Sequence, residues 1–273
     1  MADAPPATDL HDCRDAWAQT LCDLAAADPR IVAVVNDAVG SSRLSAFLKR
    51  FPDRLINVGI AEQTMVGVAA GLASAGRIPF VSAASCFLTA RPLEQIKADV
   101  AYGGFNVKLV GQSSAVAYGE RSPTHHSIED FAWLRPLTPL TLIAPANPWQ
   151  TKAALRWAAA LDGPVYLRLS RMPVPSLTLP DRTLHPGQAE WLTRGADVTI
   201  SACGTMVHLA IAAATRLATT GIFARVLNMA TLNPLDDAAL LAAAADTGAI
   251  VTVTGASVRG GLGGAVLAGR WPN

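Results

Sequence analysis

Short apolar runs alternate with longer, helically spaced apolar patterns along most of the chain. Residues 31–35 contain no polar member and are rich in β-branched side chains, the composition of a strand covered on both faces. Runs at 77–82, 107–111, 140–144 and 164–169 predict four more strands. Between them the spacing predicts helices. Residues 14–27 are Ala/Leu-rich and stop at Asp28-Pro29, and 61–74 end at Gly76. Residues 92–100 open on a proline in the first turn, where its missing N–H costs nothing, and 149–161 end at Asp162-Gly163-Pro164. This alternation predicts an α/β fold with a mainly parallel sheet and helices on both faces.

Prolines at 173, 175 and 180, followed by Pro186-Gly187, interrupt the rhythm and mark a linker. A second α/β unit follows, with strands at 198–202, 223–227 and 250–253 and helices at 206–219 and 236–245. The expected division is a first domain over 1–175, a linker over 176–185 and a smaller α/β domain over 186–273.

Composition narrows the function classes. Of 273 residues 51% are hydrophobic and 16% charged, and the net charge is +1, so nothing points to nucleic acid or an anionic membrane. The mean hydropathy of +0.30 is high. Every apolar stretch is nevertheless cut well short of the ~18 residues a membrane helix needs. The surplus apolar surface therefore predicts a protein partner. The start, Met1-Ala-Asp-Ala-Pro-Pro, has no basic region followed by an apolar run and does not read as a signal peptide. Cys13, Cys22, Cys86 and Cys203 form no CxxC pair and are expected to be reduced, buried thiols of a cytoplasmic protein. The histidines show no metal-binding spacing.

Two features carry candidate chemistry. Glu62 is the only acid between Asp53 and Glu94 and opens an otherwise apolar helix. It is either a carboxylate placed for the helix dipole or a buried carboxyl group with a raised pKa, the mark of a functional acid. His125-His126 lie in a Pro/Thr/Ser-rich loop ahead of Asp130, an unsuitable setting for core residues.

Asn57-Val-Gly-Ile-Ala-Glu-Gln, then Pro123-Thr-His-His-Ser-Ile-Glu-Asp, Leu169-Ser-Arg and Gly260-Gly-Leu-Gly-Gly occur in an order that resembles the pyrimidine-binding and C-terminal domains of transketolases. The likeness spans nearly the whole chain and is greatest to the C-terminal subunit of split, two-chain transketolases. Deoxyxylulose-phosphate synthase and the β subunits of 2-oxo-acid dehydrogenases are relatives.

The resemblance implies thiamine diphosphate as cofactor. In the family the glutamate at the position of Glu62 hydrogen-bonds N1′ of the aminopyrimidine, so that the 4′ nitrogen can take the proton from thiazolium C2. A buried carboxyl with a raised pKa suits that task. By the same resemblance Phe87 stacks on the aminopyrimidine, and Asp37 lies near the thiazolium and the subunit contact. His125 contacts the donor's oxygens and assists proton transfer. Arg171 grips the sugar phosphate, with Arg14 and the hydroxyl of Ser41 at a phosphate site, a task for which a planar, permanently charged fork is suited. Phe87 read alone is equally a core aromatic, and Arg14 equally a first-turn helix residue.

The chain also departs from the family. Ser113 stands where full-length enzymes have a phosphate-contacting His, and Ser122 replaces a Gly. Arg121 stands in place of an Asp that senses hydroxyl stereochemistry; it recruits an acidic or phosphorylated acceptor, or points to solvent. Thr254-Gly-Ala replaces a Glu and a His ahead of the Gly-rich turn, which is read as a tight strand-to-helix turn. No Gly-Asp-Gly metal–diphosphate signature is present. The resemblance thus implies that an N-terminal transketolase subunit holds Mg2+ and the diphosphate, in an α2β2 heterotetramer, with a ketol unit passing from a ketose, expected to be phosphorylated, to an aldose. The rival readings are a subunit decarboxylating pyruvate and a non-catalytic structural subunit. Against the family the second domain looks shortened, ending at Arg270-Trp-Pro-Asn.

Overall fold

The computed structural model describes residues 9–177 and 183–269. Part of the expected linker, 178–182, and the terminal 270–273 lie outside the described residues. The first unit begins with β1 (Leu10–His11), α1 (Cys13–Ala27), β2 (Ile31–Val35), α2 (Ser45–Arg50), β3 (Leu55–Asn57), α3 (Glu62–Ser74), β4 (Ile78–Ala84) and α4 (Ser85–Ala90). A single turn, α5 (Leu93–Gln95), widens into a π-helical segment over Ile96–Tyr102. There follow β5 (Lys108–Gln112), α6 (Asp130–Leu134), β6 (Thr141–Ile143), α7 (Pro148–Ala160), β7 (Val165–Arg168) and β8 (Val174–Pro175). The second unit comprises β9 (Glu190–Trp191), β10 (Val198–Ala202), α8 (Val207–Ala218), β11 (Ala224–Asn228), β12 (Thr231–Asn233), α9 (Asp237–Thr247), β13 (Ile250–Val253) and α10 (Leu262–Leu267).

Seven strands form the main sheet in the order β12-β6-β7-β5-β4-β2-β3, parallel throughout except for β12. Alternate residues of its strands feed two cores. Val34, Val81, Ala83 and Leu109 meet Met65, Val66 and Ala69 of α3 on one face. Ala33, Val35, Phe80 and Val110 meet Trp17 and Leu21 of α1 and Leu155 of α7 on the other. Both faces are dry, which is why the strands read as unbroken apolar runs. The second sheet has the order β13-β10-β11-β9. The two units are knitted together: β12, from the second, pairs with β6, and Leu227, Met229, Leu232 and Leu262 join the α3-side core.

The expected strands and major helices are present; β1, α2, β8 and β9 add elements where none is expected, and three further points differ. The helix expected over 92–100 is α5 plus the π-helical widening. The β3, β12 and α4 elements are too short to leave a periodic trace. Cys86 is half-buried rather than buried, because α4 runs along the rim of the crevice described next; the other three thiols are buried.

Candidate active site

From β2 the chain passes to β3 on one side and then crosses to β4 on the other. Such a reversal of strand order opens a crevice at the carboxyl ends of the two strands, the favoured ligand position of parallel sheets. Asn36 follows β2 directly, and Glu62 is the first residue of α3. Asn57, at the end of β3, fixes this corner: its Oδ1 accepts from the N–H of Asp37 (2.9 Å) and of Gly59 (3.0 Å), and its Nδ2 reaches Asp37 Oδ1 at 3.3 Å. Asp37 and Gly59 both have positive φ, at 69° and 74°, so the Asn57 amide holds a turn that an ordinary residue resists. Asp37 is exposed at the mouth.

Glu62 is 4% exposed. Its Oε1 accepts from Asn36 Nδ2 and from Arg91 Nη1, both at 2.7 Å. The sequence led us to expect a raised pKa, and the structure corrects this. Burial pushes the carboxyl up, but the hydrogen bonds from Arg91 and Asn36, with the Arg91 charge, bring it below the usual carboxylate range. The Glu62 carboxyl is therefore ionised in this arrangement.

From Glu62 a continuous line of contacts runs outward. Arg91 stacks its guanidinium 4.1 Å from the Phe87 ring centre. Phe87 meets His125 edge-on at 5.2 Å, and His125 meets Tyr118 at 5.1 Å. Arg171 and Arg121 lie over the Tyr118 ring at 5.0 and 5.7 Å. Burial, followed by the charges of Arg121, Arg91 and His126, lowers the pKa of His125, so its ring is neutral at pH 7. His125 Nδ1 is 2.9 Å from Thr124 Oγ1, whereas His126 Nε2 is tied to the carbonyl of Gly119 at 3.0 Å. The paired histidines thus divide their roles: His125 faces the site and His126 braces its loop.

Arg14 and Ser41 lie together but form a group of their own. Arg14 is buried, forks onto Asp12 through Nε (3.0 Å) and Nη2 (2.5 Å), and donates to the Ser41 carbonyl at 3.4 Å. The Ser41 hydroxyl donates to the carbonyl of Ala38. A phosphate here would compete with the Asp12 carboxylate for Arg14, a partner that the sequence pattern did not reveal.

Beneath the site is a buried polar network. Asp130 Oδ2 accepts from Arg168 Nε (2.7 Å), Tyr166 Oη (2.8 Å) and Ser85 Oγ (3.2 Å). Arg168 Nη2 donates to the carbonyls of Ser127 (2.9 Å) and Gly255 (3.0 Å). Ser85 opens the helix that carries Phe87, Ser127 follows the His pair, and Gly255 belongs to the second unit. One cluster thus fixes all three relative to one another. The glycine turn at 260–261 is committed to packing: a Cβ at Gly260 would collide with Ala132, and its carbonyl accepts from Arg135 at 3.0 Å.

Sequence reasoning gives no role to Asn36, Arg91 or Tyr118. Arg91 had one usable signal: it lies one helical turn after Phe87, on the same face. Tyr118 had none, being a lone aromatic in a loop. Among the described residues no group of three or more His, Cys, Asp or Glu is placed to hold a metal ion, and no helix is long and apolar enough to cross a membrane.

Residues 11–176 match the family model described as transketolase, pyrimidine binding domain, and residues 187–269 that described as transketolase, C-terminal domain. The 6-deoxy-6-sulfo-D-fructose transketolase subunit SqwH of Clostridium sp. (strain MSTE9) is 42% identical over 255 residues, 93% of this chain and 79% of the relative. An apulose-4-phosphate transketolase subunit of Phocaeicola vulgatus is 42% identical over 262 residues, 96% of this chain and 84% of the relative. A solved structure described as a split gene transketolase, inactive beta4 tetramer, superposes with a TM-score of 0.86 at 42% identity, covering 93% of this chain and 83% of its own.

Proposed function

This chain belongs to the transketolase family, and on that premise we propose that it is the pyrimidine-binding, C-terminal subunit of a two-chain, thiamine diphosphate-dependent transketolase. The observation that carries the reading is the crevice itself: a buried carboxylate, Glu62, and the Phe87 ring flank Arg91 at the strand-order reversal, with His125 beside Phe87. These residues fit an aminopyrimidine. Glu62 offers a carboxylate, Phe87 a flat apolar face, and Asn36 Oδ1 is a buried acceptor with no partner among the described residues.

When bound, thiamine diphosphate supplies the carbanion chemistry by which a two-carbon ketol unit leaves a ketose and joins an aldose. The chain's own residues supply the rest. Glu62 holds or shares a proton at its carboxylate, and Asn36 keeps that group oriented. Phe87 presents a stacking surface. His125, neutral and half-exposed, takes or returns a proton at a substrate hydroxyl. Arg171 and Arg121, both over Tyr118, make the mouth cationic and suit a ketose or aldose bearing an anionic terminus; the names of the two relatives, a sulfo sugar and a sugar phosphate, agree with this. Asp37, at the exposed rim, is assigned to the neighbourhood of the cofactor and the subunit contact. Arg14 is taken up by Asp12 and the Ser41 hydroxyl by the carbonyl of Ala38, so the anionic terminus is assigned to Arg171 and Arg121 and not to that pair.

The metal and the diphosphate are assigned to an N-terminal subunit, because this chain carries no Gly-Asp-Gly. Ile60, two residues ahead of Glu62, is 77% exposed, an apolar side chain suited to that interface. An α2β2 assembly in the cytoplasm follows from this reading. The test is to mix the chain with an N-terminal transketolase subunit carrying the Gly-Asp-Gly signature, add thiamine diphosphate and Mg2+, and follow ketol transfer from phosphorylated ketoses. Activity only in the mixture is expected. A mixture that binds cofactor but transfers no ketol unit, or that decarboxylates pyruvate instead, sinks the proposal.

A further inference from the structure

The guanidinium of Arg91 satisfies two requirements at once. It donates to Glu62 Oε1 at 2.7 Å, and its central carbon stands 4.1 Å from the centre of the Phe87 ring. These are the two groups to which the proposed function assigns the aminopyrimidine. A guanidinium is planar, carries N–H donors in its plane and stacks on aromatic rings. In shape it matches the face of a small aminopyrimidine, and its N–H donates to the carboxylate as a ring protonated at N1′ does. We propose that Arg91 is a built-in stand-in for the cofactor's pyrimidine ring, occupying the position between Glu62 and Phe87 until the cofactor displaces it.

Two observations and one physical argument support displacement rather than a permanent bridge. The Arg91 side chain is 46% exposed while that of Glu62 is 4% exposed, so the arginine is the partner free to leave. Arg91 follows the last residue of α4 and precedes Pro92, so its side chain projects from a helix end, not from within a packed face. Without Arg91, Glu62 would be a buried carboxylate with no charged partner among the described residues, a state that favours taking up a proton. With Arg91 in place the carboxyl stays ionised and the crevice stays ordered. Once Arg91 swings out, burial dominates and Glu62 becomes a group able to share a proton with a ring nitrogen. The cofactor's arrival would thus convert a passive ion pair into a working acid.

The inference rests on the transketolase reading and is tested by binding, not turnover. Thiamine diphosphate with Mg2+ is titrated calorimetrically into the complex with the N-terminal subunit, for the wild type, Arg91→Met and Arg91→Lys. Removing a half-exposed competing ion pair should tighten binding roughly fivefold in Arg91→Met. Millimolar methylguanidinium should return that variant's affinity toward the wild-type value. Arg91→Lys, which keeps the charge but not the flat face, should fall between. In the chain alone, NMR titration of the Glu62 carboxyl should show a higher pKa in Arg91→Met than in the wild type. Wild-type binding with equal or weaker binding in both variants, each folded by circular dichroism, overturns the stand-in. Absence of binding in all three chains overturns the cofactor reading, and this inference with it.

Discussion

Arg168 Nε donates to Asp130 Oδ2 across 2.7 Å, with both side chains almost wholly removed from water. The pair joins β7 to α6, and Nη2 of Arg168 ties in the His loop and the second unit. Removing one partner leaves the other charge buried without compensation. Arg168→Met is therefore expected to destabilise the chain by about 3–5 kcal/mol. Replacing both, as in Arg168→Met with Asp130→Leu, should recover much of that loss. Urea unfolding of the three proteins checks this. A single variant as stable as the wild type would show that the pair does not support the fold.

Glu62→Gln keeps the shape of the side chain and an oxygen able to accept from Asn36 and Arg91. Folding and melting temperature should stay close to wild type, while ketol transfer should fall by about 10²–10⁴-fold, the range typical of a lost proton-transfer group. The variant also carries a pH signature. The folded carboxyl titrates below its unfolded value of about 4.3. Its contribution to stability is full above that value and is lost as pH falls through the lower folded one. Stability curves measured from neutral pH into acid should fall less steeply for Glu62→Gln than for the wild type, and parallel curves would show that Glu62 is not held ionised.

How much of this was legible in the chain depends on range. The apolar run at 31–35 and the helical spacing of 61–74 specified strand and helix because local periodicity encodes them. The placement of Glu62 was legible from its isolation among apolar neighbours. Its charge state was not, because Arg91 is 29 residues away and Asn36 is 26 residues away along the chain. Arg14 differs: its partner Asp12 lies only two residues away, but spacing alone does not say whether the arginine forks back onto the cap or reaches outward. The crossing of β12 into the first sheet left no trace either, since three residues fit either sheet equally well.

Arg121 acts on His125 through its charge. Burial depresses the histidine first, and Arg121 is the largest of the neighbouring cations that add to it. Arg121→Ala should raise the His125 pKa toward its ordinary value and move the acid limb of the pH–rate profile to higher pH; Arg121→Asp should move it further. If Arg121 also grips an anionic terminus, KM for an anionic substrate should rise about tenfold while that for a neutral analogue stays unchanged. A profile and a KM ratio both identical to the wild type would leave Arg121 as a solvent-facing charge.

Lys108 supplies the last prediction. It opens β5, yet its side chain is fully buried, and its Nζ donates to the carbonyls of Leu161 at 2.9 Å and Gly163 at 2.6 Å. Those carbonyls lie in the turn between α7 and β7, where the helix's last acceptors need donors. Burial lowers the ammonium pKa to about 7, with Asp162 opposing the shift. An unfolded lysine titrates near 10.4. Between these values the unfolded chain binds more protons than the folded one, so stability rises with pH across that window, by up to about 1.4 kcal/mol per pH unit from this one group. Below pH 7 the folded lysine is charged and the burial cost is carried in full. Lys108→Met removes the titration. The difference in unfolding free energy between wild type and Lys108→Met should therefore shift toward the wild type as pH is raised from 7 to 9. Urea melts of the two proteins at these pH values decide the point: a difference that does not change with pH would mean that the two carbonyls hold the ammonium charged throughout.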